Sequence, residues 1–380
     1  MKITNEVYSI RDELLRDKNF FNCNPELGYK EFKTSKYISS RLKEIGFQVE
    51  ENIATTGVVA VLKGKQDSPC IMFRADMDAV LTIPEETTSI MHACGHDAHM
   101  AILLGLASLL AKDKHNFKGT VKLVFQPGEE GFGGAEAMIH EGVLDNPKVD
   151  KAFALHVWSE LDEDCIGIKD GPIMASGDEF EIEVYGKGGH AALPEKCSDS
   201  IYIASQIVVV LQSIVSRNIS PIDTAVVSVT SFNGGCNYNT ICEKVAIRGT
   251  CRTFRNETRE LIASKIKEIS TSIASSLGGK AIVKYRFKHP PVVNWKEESN
   301  LVAQIAELVV GKENIITNYS TMCTEDFSHF LRKVPGALVL VGCKGEEYWP
   351  QHSPNFYVGE KPMLIGLELL YGIARKYLSD

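Results

Sequence analysis

Hydrophobic positions fall into two regimes along the chain. From Glu6 to Gly46 they recur at helical spacing on both sides of the turn Asn24-Pro25-Glu26-Leu27-Gly28. Phe32, Tyr37, Ile38, Leu42 and Ile45 mark the face of the second helix. Beyond it, short apolar runs alternate with helical segments. Val58–Leu62, Ile71–Phe73, Val121–Phe125 and Ala152–Val157 predict strands, with helices at Ala98–Leu110 and Gly134–His140. Strands alternating with helices imply an α/β layer around a mostly parallel sheet.

Near Ser176 the pattern changes. Phe180, Ile182 and Val184 alternate with acidic residues, as in a strand with one wet face. Helices at Ser200–Ile214 and Thr258–Leu277 are interleaved with strands at Ala225–Thr230, Val245–Thr250 and Ile282–Phe287. That order predicts a ferredoxin-like α+β unit. After Pro290-Pro291 the α/β pattern resumes, with helices at Leu301–Val310, Asp326–Arg332 and Pro362–Leu378 and a strand at Ala337–Val341. The expected layout is a catalytic domain of residues 1–176 and 292–380, interrupted by an insert of residues 177–291.

Two domains also suit a length of 380 residues. A net charge of −8 without a basic block argues against a nucleic-acid partner. No apolar run reaches membrane-span length, and the first twenty residues lack the apolar core of a secretory signal, so a cytoplasmic protein is expected. Ten scattered cysteines without a C-x-x-C pair predict free thiols rather than a zinc ribbon.

Four polar clusters directly follow predicted strands: Arg74-Ala75-Asp76, Pro127-Gly128-Glu129-Glu130, His156, and the stretch from Gly342 to His352. Residues beyond the strand ends of an open α/β sheet share one crevice. Met91-His92-Ala93-Cys94-Gly95-His96-Asp97 is the densest cluster, and thiolate with imidazole suits zinc or a similar ion. Taken singly, each cluster has a plainer reading. Cys94 and His96 fit a buried thiol and helix-start groups, Glu129-Glu130 a solvated turn, and His156 a satisfied core histidine. In the insert, His190 lies in a glycine run, and Arg252 suits a bidentate carboxylate contact or a plain surface charge.

Taken together, and in order, the segments NPELGYKEFKTS, FRADMDAV, MHACGHDAHMA, VFQPGEEGFGGAEAM, ALHVW, YGKGGHAALP, GGCNYNTI, GTCRTF, TEDFSHFL and HSPNF span nearly the whole chain. This set resembles the metal-dependent amidohydrolase and carboxypeptidase superfamily that includes aminoacylase. Within it, the chain is similar to the branch of hippurate hydrolases, N-acyl-amino-acid amidohydrolases, N-acetyldiaminopimelate deacetylases and auxin–amino-acid hydrolases. The resemblance implies two divalent ions, zinc, manganese, cobalt or nickel, held by Cys94, His96, Glu130, His156 and His352, with Cys94 bridging. It implies Glu129 as general base and Asp76 as the residue orienting a ligand. It further implies His190, Asn239 and Arg252 as substrate-binding groups, and the insert of residues 177–291 as a lid and dimerisation domain through which a homodimer forms. The expected reaction is hydrolysis of a small N-acyl amino acid.

Departures from the family pattern are Asn22 for a histidine, Cys242 for a proline, Cys323 for a glycine and a short loop from Asp78 to His92. Three rival readings stand beside this one: a dipeptidase or metallocarboxypeptidase, a thiol hydrolase using Cys94, and a non-catalytic binding protein.

Overall fold

A computed structural model describes residues 2–82 and 89–378. Part of the shortened loop, residues 83–88, lies outside the described residues. The chain divides into two compact units, Met1–Ile173 with Val293–Tyr319 and Asp326–Asp380, and Met174–Val292 with Ser320–Glu325.

The first unit is built on an eight-stranded sheet. Its order is Gln48–Ile53, Gly57–Lys63, Thr120–Gln126, Cys70–Asp76, Lys151–Asp162, Gly336–Lys344, Ile166–Gly167 and Ile315–Ile316. The central pairings, from Thr120–Gln126 through Gly336–Lys344, are all parallel. The two pairings at the Gln48–Ile53 edge are antiparallel. The central strands Cys70–Asp76 and Thr120–Gln126 are buried along their whole length, as expected of strands covered on both faces. The helix His96–Asp113 is apolar on nearly every side, because it packs against Arg11–Cys23, Glu360–Leu378 and the sheet.

Two strands differ from the sequence reading in ways that matter. Gln48–Ile53 is a strand although its side chains are largely polar and exposed; backbone pairing with Gly57–Lys63 sets it, not apolar alternation. The strand containing His156 runs on to Asp162, so His156 lies within it rather than at its end. Pairing with Gly336–Lys344 extends it, with Leu340 opposite His156. On the other side the neighbouring strand stops at Asp76, two residues beyond the Arg74↔Ala154 pair. His156 is therefore at an open notch in the sheet even though its own strand continues.

The second unit is a four-stranded antiparallel sheet ordered Ala225–Gly234, Lys244–Thr253, Gly177–Tyr185 and Lys280–His289. Two helices, Ser200–Leu211 and Asn256–Ser276, complete a βαββαβ chain order, the ferredoxin-like arrangement. Phe180, Ile182 and Val184 pack with Ile203, Ile207, Ile262 and Ile266. Glu179, Glu181 and Glu183 alternate with them along the same strand. Among the described residues no helix is long and apolar enough to cross a membrane.

Candidate metal centre

The centre starts from two loops that leave the sheet at the same level. One follows Cys70–Asp76, and the other follows Thr120–Gln126 and carries Glu129 and Glu130. Asp78 clamps them together: its carboxylate accepts the amides of Glu129 and Glu130, each at 3.0 Å. Its own carbonyl accepts the Nδ1–H of His96 at 2.7 Å. Buried Glu31, from the NPELGYKEF segment, fixes the same loop by accepting the Gly128 amide at 3.0 Å and the Thr56 hydroxyl at 2.6 Å.

His96 opens the central helix, preceded by Gly95 at φ +91°. A Cβ at Gly95 would lie 2.3 Å from the Val157 Cγ2, so only glycine permits this close approach. With its Nδ1 committed to Asp78, the His96 Nε2 is buried and has no hydrogen-bond partner. It stands 3.6 Å from Asp76 and 3.9 Å from Glu130. His156 is arranged alike: Nδ1 bonds the Val157 carbonyl at 2.7 Å, and Nε2 lies 3.6 Å from the Cys94 Sγ. His352, held in a left-handed conformation at φ 66°, hangs from a loop whose amide donates to the Ala93 carbonyl at 2.7 Å. Its Nε2 lies 3.2 Å from Glu130 Oε1, an atom without a directed hydrogen bond.

Ligand-type atoms of Cys94, Glu130 and His352 lie within 4.8 Å of one another, as do those of His96, Glu129 and Glu130. Asp76, His96, His99 and His156 form a further such group. His99 is already spent: its Nδ1 bonds Asp76 at 2.6 Å and its Nε2 accepts the Val157 amide at 2.9 Å. It thus orients Asp76 and the strand at His156. Sulfur, imidazole and carboxylate donors aimed at one spot, two of them orphaned and buried, fit divalent transition metals.

The electrostatics agree. Burial alone would lower the pKa of His96, but Asp76, Asp78 and Glu130 outweigh it and push it up to about 10. The same negative field attracts a cation. Burial, with His99 and His96 adding to it, pushes His156 down to about 3, leaving it neutral with a lone pair to give. Burial raises the Asp76 carboxyl, but His96, His99 and Arg74 overcome it and hold Asp76 well below the usual range. Burial and then Glu130, Glu129 and Asp76 push the Cys94 thiol far up. A thiol nucleophile needs the opposite shift, so the environment disfavours a thiol hydrolase. A bound cation reverses that penalty, because it stabilises thiolate.

The three insert residues are in the second unit. His190 pairs with Thr240 in a short ribbon, and the Ala191 amide bonds the Asn239 carbonyl at 2.9 Å, so His190 and Asn239 sit together. Arg252 is on Lys244–Thr253, half-buried, in a groove of about 480 Å³ lined also by Arg248, Arg286, Glu179 and Glu181. Of the departures, Asn22 donates to Asp97 at 3.0 Å, Cys242 meets the Ser200 hydroxyl at 3.1 Å, and Cys323 is exposed. All ten cysteines are free thiols.

Sequence reasoning passed over Asp78, His99, Glu31, Gln126 and Asp326 as contributors, and placed Arg74 in a polar cluster without a role. Most belong to the segments that carry the family resemblance, yet their roles are visible only as hydrogen bonds.

Histidine, cysteine and carboxylate donors gathered at an open notch of an α/β sheet suit a metal-dependent hydrolase. Residues 72–376 match the model of peptidase family M20/M25/M40. An N-acetyl-L-cysteine deacetylase of Bacillus subtilis is 37% identical over 380 residues, covering 98% of this chain and 90% of that protein. A hippurate hydrolase of Campylobacter jejuni is 36% identical over 387 residues, covering 100% of both. A Bacillus subtilis crystal structure described as a dinuclear metal binding peptidase of the M20 family superposes with a TM-score of 0.84. It is 31% identical and covers 97% of this chain and 98% of that one. The chain belongs to peptidase family M20/M25/M40 and is a metal-dependent amidohydrolase. The expected family and fold class are borne out.

Proposed function

We propose that this chain hydrolyses the amide bond of N-acyl amino acids, releasing a carboxylic acid and a free amino acid. The carrying observation is a chain of overlapping donor groups, Cys94 with Glu130 and His352, Glu130 with Glu129 and His96, and His156 3.6 Å from Cys94, in which His96 Nε2 and Glu130 Oε1 are buried without a hydrogen-bond partner. Cys94, His96, Glu130, His156 and His352 would hold a pair of divalent ions, with Cys94 between the two donor sets. Such ions supply Lewis acidity, polarising the scissile carbonyl and making water a stronger acid.

The rest is work for the chain. Glu129, its amide fixed by Asp78 and its carboxylate met by the Asp326 amide at 3.4 Å, takes a proton from the attacking water as the C–O bond forms. It then delivers that proton to the departing nitrogen as the C–N bond breaks. Asp76 orients the imidazoles. His190, Asn239 and Arg252 are assigned to the substrate, Arg252 to its carboxylate. A homodimer through the second unit belongs to the same proposal, with the edge strand Ala225–Gly234 exposing Phe232. The names of both relatives, an N-acetyl amino acid and hippurate, an N-benzoyl one, support the substrate class.

The test is amine release from acetyl-, benzoyl- and indole-acetyl-amino acids by protein reconstituted with zinc, manganese, cobalt or nickel. Release that is abolished by chelator and restored by metal is expected. No release from any member, beside turnover of unblocked dipeptides, overturns the substrate assignment.

A further inference from the structure

We infer that Arg74 is the positioning residue that ties the ion-holding half of this centre to the half carrying Glu129. The inference rests on the amidohydrolase reading. Arg74 lies near the end of the strand Cys70–Asp76, and its side chain is wholly buried. Its guanidinium donates to at least three partners. Nε donates to Gln126 Oε1 at 2.9 Å, Nη1 to Asp76 Oδ2 at 2.8 Å, and Nη2 to Asp326 Oδ1 at 2.9 Å.

Each aspartate leads to a different part of the chemistry. Asp76 continues to His99 at 2.6 Å, and the ring centroid of His99 is 4.6 Å from that of His156. The other oxygen of Asp76 is 3.6 Å from the bare Nε2 of His96. Asp326 accepts the Gln126 amide at 2.8 Å through each oxygen and the Ala135 amide at 3.0 Å, which seats the helix following the glutamate loop. Its own amide faces Glu129 Oε1 at 3.4 Å. One planar cation therefore sets the angle of both carboxylates.

The chemistry requires arginine. Two buried carboxylates need a shared cation, and a rigid fork fixes the two directions at once. A lysine supplies the charge, but its three donors radiate from one freely rotating nitrogen and cannot reproduce the separate fixed directions of Nε, Nη1 and Nη2. Partners that orient ligands from behind typically change metal affinity or activity by about 10–100-fold when lost.

The experiment compares Arg74→Lys, Asp76→Asn, Asp326→Asn and a reference, Lys122→Met. Lys122 is a buried cation of the adjacent strand, bound to the Val143 and Pro147 carbonyls. Ion affinity is read by chelator competition without substrate, kcat and KM with an N-acyl amino acid, and Tm by calorimetry. Arg74→Lys should weaken ion retention by about 10-fold or more and lower kcat by about 10–100-fold, with KM little changed. Asp76→Asn should lose mainly ion affinity, and Asp326→Asn mainly kcat. Lys122→Met should lose Tm with ion affinity intact. Arg74→Lys that keeps both ion affinity and kcat overturns the inference. So does a loss of ion affinity no greater than that of Lys122→Met at equal loss of Tm. If Arg74→Lys does not accumulate folded, Gln126→Met removes the amide bracing Arg74 and Asp326 and carries the same expectation; wild-type behaviour there overturns it. A wild type that binds ions but releases no amine sinks the amidohydrolase reading, while the ion titrations still judge Arg74.

Discussion

Replacing Glu129 by glutamine separates base from ligand within an adjacent pair. The variant would keep the backbone contact to Asp78, since that bond uses the amide nitrogen of residue 129. Its side chain would also keep an oxygen for the Asp326 amide. Lost are the negative charge and the capacity to take a proton. Loss of one general base lowers turnover by about 10²–10⁴-fold, which is ~2.7–5.4 kcal/mol of activation energy. The fold should not suffer. Glu129 is buried beside Glu130, and removing one of two neighbouring negative charges relieves repulsion. Glu130→Gln is the counterpart: Glu130 approaches His352 and His96 at 3.2 and 3.9 Å, so its loss should deplete bound ion. The assay pairs kcat with metal content by elemental analysis and Tm for both variants. Glu129→Gln with full metal, unchanged Tm and kcat within about tenfold of wild type would refute the base assignment.

Ion uptake should depend steeply on pH. His96, at about 10, and Cys94, pushed far up by burial, both carry protons near neutrality that an ion must displace. Raising the pH lowers that opposition, and His352, raised by its contact with Glu130, adds a further proton over part of the range, so log affinity should climb with a slope of about two to three per pH unit between about pH 6 and 8; a flat or falling titration contradicts it. Gly134→Ala should cost about 3 kcal/mol and roughly 4–6 °C in Tm, because its Cβ would sit 1.6 Å from the Pro127 carbonyl oxygen. Calorimetry showing an unchanged Tm would mean the loop relaxes freely. Arg252→Ala should raise KM by about 10–100-fold for substrates with a free carboxylate and little for their amides; equal effects on both would remove Arg252 from carboxylate binding.

Much of the centre was legible in sequence because strand ends are legible. Asp76 and the Glu129-Glu130 pair follow short apolar runs, and those runs are buried strands of one sheet. His156 was placed at a strand end, yet its strand continues to Asp162; the opening comes from where the neighbour stops, which a single segment cannot reveal. The polar strand Gln48–Ile53 was missed because pairing, not alternation, defines it. His99 has the residue type of a ligand, and only its two hydrogen bonds show that both nitrogens are engaged. Arg74 and Asp326 are 252 positions apart in sequence, so no local pattern joins them.

The donors are not equally sheltered. His96 is completely buried and His156 nearly so, whereas the His352 side chain is 55% exposed and hangs from a loop. With ions bound, exchange would therefore have a direction: a rim position formed by Cys94, Glu130 and His352 would empty and refill first, and an inner position would retain its occupant. A preparation stripped gently would pass through a half-loaded form, and two different metals could be installed in sequence, the first remaining deep and the second outside.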